Sequence, residues 1–159
     1  MSEHIKIVSC SEKYFEAFKA LNEEWINQYF KIEEMDRISL GNPKEYILDK
    51  GGYIAVALLN DEAVGVCALM KSSHEGFDFE LAKMGVSPKA QGKGIGKLLG
   101  EHIIQKAQTT GATKLYLETN SVLGPAIALY KKLGFKEITG VTSPYERSDI
   151  QMSLDLNHF

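Results

Sequence analysis

Apolar positions recur along the chain in two periods, and the switches between them lay out its elements. Tyr14, Phe18, Leu21, Trp25 and Tyr29 fall three or four residues apart, one face of a helix. Ser9 or Ser11 is placed to cap that helix, and "HIKIVSC" before it reads as a short strand. A second, more polar helix is expected over about 32–48. "GGYIAVALLN", "EAVGVCALMKS" and "FDFELAKMGV" then read as three strands, the first two joined at Asn60-Asp61, which suits a tight hairpin turn. Helical spacing returns at Ile95, Leu98, Leu99 and Ile103 and runs to about residue 108. The strand "KLYLETN", a short helix around "PAIALYKKL" and strands near "FKEITGV" and "DIQMSLDL" close the chain. The order β-α-α-β-β-β-α-β-α-β-β predicts an α/β (α+β) fold, one domain over 1–159, with a mixed sheet and helices on both faces.

Composition narrows the partners. The chain has 159 residues, 44% hydrophobic and 25% charged, the balance of a globular protein with one core. Its 18 Lys plus Arg face 21 Asp plus Glu, mixed along the sequence, for a net charge of -3. Duplex binding needs a positive stripe, so no nucleic acid is expected as partner. Cys10 and Cys67 lie in apolar stretches without the spacing of a zinc or redox motif and read as reduced core thiols. "MSEHIKIVSC" is not a signal peptide and no apolar run approaches membrane-spanning length, so a cytoplasmic location and no membrane partner are expected.

The chemistry concentrates in "QGKGIGK", residues 91–97, which packs three glycines and two lysines immediately before an apolar helical pattern. A Walker A loop anchored on Gly96-Lys97 would have Gln91 where its first glycine belongs and Leu98 in place of the hydroxyl, so it fails twice. A dinucleotide fingerprint starting at Gly92 or Gly94 places Lys97 or Leu99 at the third glycine, with Glu118 as its one supporting acid. What survives is a set of backbone N–H groups at a helix N-terminus, with Gly94 and Gly96 lacking the Cβ atoms that would hold a ligand away. That is an anion cradle, or a glycine-rich turn with no ligand.

The flanking residues "MGVSPKAQGKGIGKLL", with Gln-x-x-Gly-x-Gly after a strand ending at Val86, resemble the acyl-CoA signature of the GNAT superfamily of N-acetyltransferases. "LETN" and "AIALYKKLGFKE" are similar to that family's second signature, in which an Asn and a Tyr flank the thioester. The resemblance is sharp over roughly residues 78–137 and topological before that. It implies acetyl-CoA as co-substrate, without a metal, its pyrophosphate on the amides of Gln91, Gly92, Lys93, Gly94, Ile95, Gly96 and Lys97. Met84, Gly85 and Val86 would meet the pantetheine arm along their exposed backbone. Gly85 fits because a glycine inside an apolar strand marks a bulge or a close backbone approach.

Acetyl transfer to an amine needs a neutral nucleophile, and a lysine-like amine at pKa ~10.4 costs about 4–5 kcal/mol to deprotonate at pH 7. Glu80, assigned to the same strand face as Ala82, Met84 and Val86, is the candidate base, with Glu118 on the neighbouring strand as rival and a solvated or paired carboxylate as the alternative. Tyr130 is the candidate donor to the departing CoA thiolate. It also falls on the stripe Ala126, Leu129, Tyr130, Leu133, which a core would equally produce. Asn120 is read as a helix cap, a contact to the pantetheine amide or acetyl end, or both.

His102 reads as a core or edge histidine, and His4, His74 and His158 form no metal spacing. Trp25, Tyr29 and Phe30 are mostly core on the helical period, with one expected to border the acceptor cleft. The acceptor is open: a small-molecule amine, an amino acid, or a peptide or protein amine, on a monomer or a homodimer. Neither cysteine has a visible activating partner, so direct attack by the amine is favoured over a covalent acetyl-enzyme. A non-catalytic acyl-CoA sensor of the same fold is the alternative.

Overall fold

A computed structural model of the chain describes residues 4–156. Its elements are β1 (Ile5–Ser9), α1 (Phe15–Tyr29), α2 (Glu34–Gly41), β2 (Tyr53–Leu59), β3 (Glu62–Lys71), β4 (Phe79–Val86), α3 (Ile95–Thr109), β5 (Lys114–Thr119), α4 (Gly124–Leu133), β6 (Lys136–Ile138) and β7 (Ile150–Asp155). The order is the expected one. The strands form a seven-stranded sheet, β1-β2-β3-β4-β5-β7-β6, in which only the β4–β5 neighbours run parallel. Asn60 and Asp61 both hold positive φ, 50° and 71°, as the tight turn between β2 and β3 requires.

Local chemistry explains two departures. The second helical stretch is split: α2 stops at Gly41, and a π-helical turn, Lys44–Leu48, follows Pro43. Proline offers no N–H and crowds the preceding turn, so one helix cannot run through it. Neither Ser9 nor Ser11 caps α1 with its side chain; the Ser11 carbonyl accepts the Tyr14 N–H at 2.9 Å, and Ser9 Oγ lies 3.0 Å from Tyr53 Oη.

Strand alternation sends apolar side chains to both sheet faces, and each face has its own core. Phe18, Ile26, Leu40, Ile54, Val56 and Val66 pack beneath α1 and α2. Leu69, Leu81, Leu99, Ile103, Leu115 and Leu117 pack beneath α3 and α4. Each such fully buried side chain contributes about 1.5–3 kcal/mol, so the two layers clamp the sheet from both sides. Cys67 is buried in the second core and Cys10 is half-buried beside the first, both as free thiols. Among the described residues no helix is long and apolar enough to cross a membrane.

Two irregularities in the middle of the sheet position the site. β4 and β5 pair at Phe79–Leu115 and Glu80–Tyr116 and then part, leaving the rest of β4 without a β5 partner. β4 also carries a bulge: Ala82 lies opposite Ala68 but Gly85 lies opposite Val66, one residue more on β4 than on β3. Lys83 absorbs it with φ 55°, a left-handed conformation that costs a non-glycine residue energy and marks the position as special. The extra residue also reverses the alternation. Glu80 and Ala82, opposite Met70 and Ala68, face α1, whereas Met84 and Val86 pack with the core under α3. Glu80 therefore does not share a face with Met84 and Val86, as a regular strand would dictate; the bulge puts them on opposite sides of the sheet.

Candidate active site

Where β4 and β5 part, a cleft of about 430 Å³ passes through the plane of the sheet, bordered by Trp25 and Met35 on one side and by Gln91, Gly96 and Tyr130 on the other. Because it opens to both faces, groups on opposite sides of β4 can serve one reaction.

On the α3 side the wall is made of backbone. Gly92 and Gly94 hold φ of 82° and 75°, and at both a Cβ would point into open space. They turn residues 91–97 into the start of α3, whose first amides have no carbonyl within the helix to bind. Gln91, Gly92, Gly94 and Lys97 are exposed, Lys93 and Gly96 are partly so, and Ile95 anchors the turn in the core. Gly96 has a different reason for being glycine: a Cβ there would lie 3.2 Å from Leu129 Cδ2 and 3.8 Å from Met84 Sδ, so its bareness admits α4. Gly85 likewise admits α1, since a Cβ would meet the Leu21 carbonyl oxygen at 2.9 Å and Trp25 Cδ1 at 3.0 Å. The bulge lies at Lys83, not at Gly85.

Tyr130, on α4, reaches the cleft from this side, its ring edge-on to Phe135 at 6.2 Å. Burial, and to a smaller degree Cys67, pushes its hydroxyl pKa up, so it stays protonated and able to donate. Asn120 does not cap α4. Its Oδ1 accepts the Val122 N–H at 2.8 Å and its Nδ2 donates to the Arg147 carbonyl at 2.6 Å, tying the end of β5 to the segment before β7.

On the α1 side the groups are acids. Burial, then the nearby Glu118 carboxylate, pushes the Glu80 carboxyl up to about 8, with Lys83 opposing. Glu118 faces the same way two residues beyond Tyr116, and both its oxygens are taken, by Tyr116 Oη at 2.8 Å and Ser143 Oγ at 2.7 Å. The proton affinity of Glu80 is thereby set near neutrality. The thiols are not set that way: burial pushes Cys10 up to about 11 and Cys67 higher still.

A buried ionic cluster closes this side. Asp36, fully buried on α2, receives both Arg147 guanidinium nitrogens at 2.7 Å and the Lys83 ammonium at 3.3 Å, and its carboxylate also accepts the Glu33 N–H at 2.9 Å. Burial works against ionisation of Asp36, but these hydrogen bonds and cations outweigh it and hold the carboxyl below its usual range. Lys83 also donates to Tyr145 Oη at 2.7 Å, and the Arg147 guanidinium lies over the Tyr145 and Trp25 rings, 4.4 and 5.8 Å from their centres. No sequence signal marks the cluster, because its members stand at 36, 83 and 147 and only folding brings them together.

Among the remaining candidates, His102 is half-buried away from the cleft and lies 2.8 Å from Tyr53 Oη. His74 borders the cleft, tilted against Tyr116 at 4.5 Å, while His158 lies outside the described residues. Trp25, Tyr29 and Phe30 all line the cleft, more than the one expected.

A model of the acetyltransferase (GNAT) family matches residues 15–135. The ribosomal protein bS18-alanine N-acetyltransferase of Salmonella typhimurium is 33% identical over 87 residues, 55% of this chain and 57% of that protein. N-acetylaspartate synthetase of Rattus norvegicus is 31% identical over 109 residues, 69% of this chain but 36% of the synthetase. The similarity thus spans about half of the first relative and a third of the second. An uncharacterized N-acetyltransferase of Schizosaccharomyces pombe is 31% identical over 139 residues, 84% of this chain and 80% of that protein. In fold, an acetyltransferase of the GNAT family from Staphylococcus aureus Mu50 superimposes with a TM-score of 0.85 at 22% identity, covering 97% of this chain and all of that one. The yncA protein of Salmonella typhimurium, solved with its cofactor acetyl-CoA, does so with a TM-score of 0.74 at 19% identity, covering 97% and 95%.

Proposed function

Because the chain belongs to the acetyltransferase (GNAT) family, we propose that it transfers an acetyl group from acetyl-CoA to a primary amine by direct attack, with Glu80 as base and Tyr130 as hydrogen-bond donor to the departing sulfur. One observation carries this reading: a buried carboxyl set near neutrality and a protonated phenol border a single cleft from opposite faces of a parted sheet.

When bound, acetyl-CoA supplies an acetyl group activated as a thioester. The residues present fit it. The open, left-handed glycines 92 and 94 and the first amides of α3 form the phosphate cradle, to which Lys93 and Lys97 add positive charge. The unpaired edge of β4 from Met84 through Gly85 to Val86 offers N–H and C=O groups to an extended amide chain. Asn120 holds the far end of β5 in place for that arm.

The acceptor's ammonium, arriving on the α1 side, favours the ionised form of Glu80, whose carboxylate then takes the proton directly or through water. A group near 8 is matched to this task at neutral pH better than an ordinary carboxylate. On the other face the Tyr130 hydroxyl donates a hydrogen bond where negative charge develops on the departing sulfur, and the second proton lost by the attacking nitrogen lets CoA leave as its thiol. Both thiols have raised pKa values, so the chain presents no ready thiolate for an acetyl-enzyme route.

Calorimetry with acetyl-CoA, alongside thiol release over an amine library, tests the reading. Micromolar or tighter binding with release in the presence of an amine is expected; binding without release from any amine class would leave an acyl-CoA sensor instead. Gly94→Asp probes the cradle, since Asp tolerates left-handed backbone, the Cβ meets open space, and the added carboxylate repels phosphate. It should weaken acetyl-CoA at least about tenfold, equivalent to about 1.4 kcal/mol, in a chain that still folds although the left-handed φ of 75° lowers its Tm. Unchanged affinity would remove the cradle assignment.

A further inference from the structure

We propose that the acceptor is a primary amine on an apolar body with no carboxylate beside the amine. This rests on the acetyl-transfer reading above and narrows its substrate class. The α1 side of the cleft holds two cations that would recognise an acceptor carboxylate, Lys83 and Arg147, and both are already committed. Arg147 gives two nitrogens to Asp36 at 2.7 Å and lies 3.5 Å from Glu33, and Lys83 is divided between Asp36 and Tyr145 Oη. Two cations against two carboxylates leave no net positive charge. Lys71, at the far rim, stands over the Phe79 ring at 5.2 Å.

The acids Glu80 and Glu118 also line this side: an arriving ammonium favours the ionised form of Glu80, and neither acid offers a carboxylate beside the amine a positive partner. Around them the wall is apolar: Trp25, Tyr29, Phe30, Met35 and Met70. Tyr29 and Met35 are 52% and 46% exposed at the rim, a large apolar surface to leave in water unless something covers it. Aromatic rings and methionine thioethers suit an alkyl or aryl body of variable shape. Such a body belongs either to a small arylalkylamine or to a peptide whose N-terminal residue is apolar and whose carboxylate is tied up as an amide.

Steady-state thiol release at saturating acetyl-CoA tests the assignment with 2-phenylethylamine, phenylalanine, aspartate, spermidine and phenylalanyl-leucine amide. A kcat/KM for 2-phenylethylamine or the peptide amide at least about tenfold above that for phenylalanine is expected, the cost of meeting unpaired like charge. The two favoured substrates, compared with each other, separate the small-molecule source from the peptide source. Preference for phenylalanine, aspartate or spermidine would overturn the inference while leaving acetyl transfer intact. Acetyl-CoA binding with no release from any of the five would overturn this inference, and acetyl transfer falls with it only if the wider amine library is silent as well.

Asp36→Asn, which frees charge on Lys83 and Arg147, should raise the phenylalanine to 2-phenylethylamine ratio severalfold. Glu33→Gln, at the less buried end of the cluster, should raise it less and serves if the Asn variant does not fold. A ratio unmoved in a folded variant would overturn the account of why carboxylates are excluded.

Discussion

On the α3 side of the sheet the cleft is built from main chain: two left-handed glycines, the first turn of a helix and the unpaired edge of β4. On the α1 side it is built from side chains: Glu80, Glu118 and the Asp36–Lys83–Arg147 cluster, drawn from α2, β4, β5 and the segment before β7. On the function proposed above, the first half would recognise something common, phosphates and amides, with main-chain groups, and needs only a backbone shape. The second half would select something particular, with buried charge set around it. A backbone shape constrains a short run of residues, whereas a charge cluster constrains scattered ones.

The largest effect that would test this division is that of Glu80→Gln. If the α1 side supplies the base, kcat/KM should fall by roughly 10²–10⁴ and the acidic limb of the pH–rate profile, expected near 8, should vanish. Acetyl-CoA affinity should stay within a few-fold, because Glu80 faces away from Met84, Val86 and the loop. A parallel loss of acetyl-CoA binding, read by calorimetry, would break the division. The same carboxyl should leave a mark on stability. Its folded pKa lies above the ordinary 4.5, so the native state holds a proton that the unfolded chain has lost, and stability falls as pH rises from about 4.5 to about 8. The Gln variant should show a flatter Tm profile across that window.

The same contrast explains how much of the molecule was legible from its sequence. The element order, the hairpin at Asn60-Asp61 and the glycine loop were legible because each rests on a local rule, a periodicity or a turn chemistry within a few residues. The alternation rule places Glu80 on the wrong face, because it assumes a regular strand and nothing in "ELAKMGV" announces a bulge at Lys83. From the sequence, the glycines at 85 and 96 are assigned to a ligand, yet their bareness makes room for α1 and α4, contacts that exist only after folding. Asp36, Lys83 and Arg147 were not found at all. Their meaning lies in a mutual approach across more than a hundred residues of chain, for which charge patterning along the sequence holds no trace.

A smaller effect, of about 10- to 10³-fold in kcat, is expected for Tyr130→Phe, the counterpart of Glu80 on the α3 side. The ring would stay against Phe135 and the α3-side core, so Tm should barely move. If the hydroxyl acts on the departing sulfur and not on the acceptor, as proposed, kcat and kcat/KM should fall together while the acidic limb stays where it was. A shifted limb would mean that the two faces share one proton path; normal turnover would return Tyr130 to the core.

The smallest effect is the sharpest on the α1 side, because it separates the two acids. Glu118 already accepts hydrogen bonds on both oxygens, from Tyr116 and Ser143, and a glutamine keeps one carbonyl oxygen and the same shape. Its charge acts on Glu80 at a distance, second to burial among the causes that raise that carboxyl. Glu118→Gln removes a negative neighbour, so the proton on Glu80 leaves more easily and the acidic limb moves to lower pH. It does not reach the ordinary carboxylate range, since burial remains. Plateau turnover should hold within a few-fold, and activity at pH 6 should rise by up to about tenfold, the gain that one unit of pKa gives. If Glu118 were the base, the same substitution would abolish the limb and the turnover with it, so one pH profile of kcat/KM distinguishes a base from the charge that tunes it.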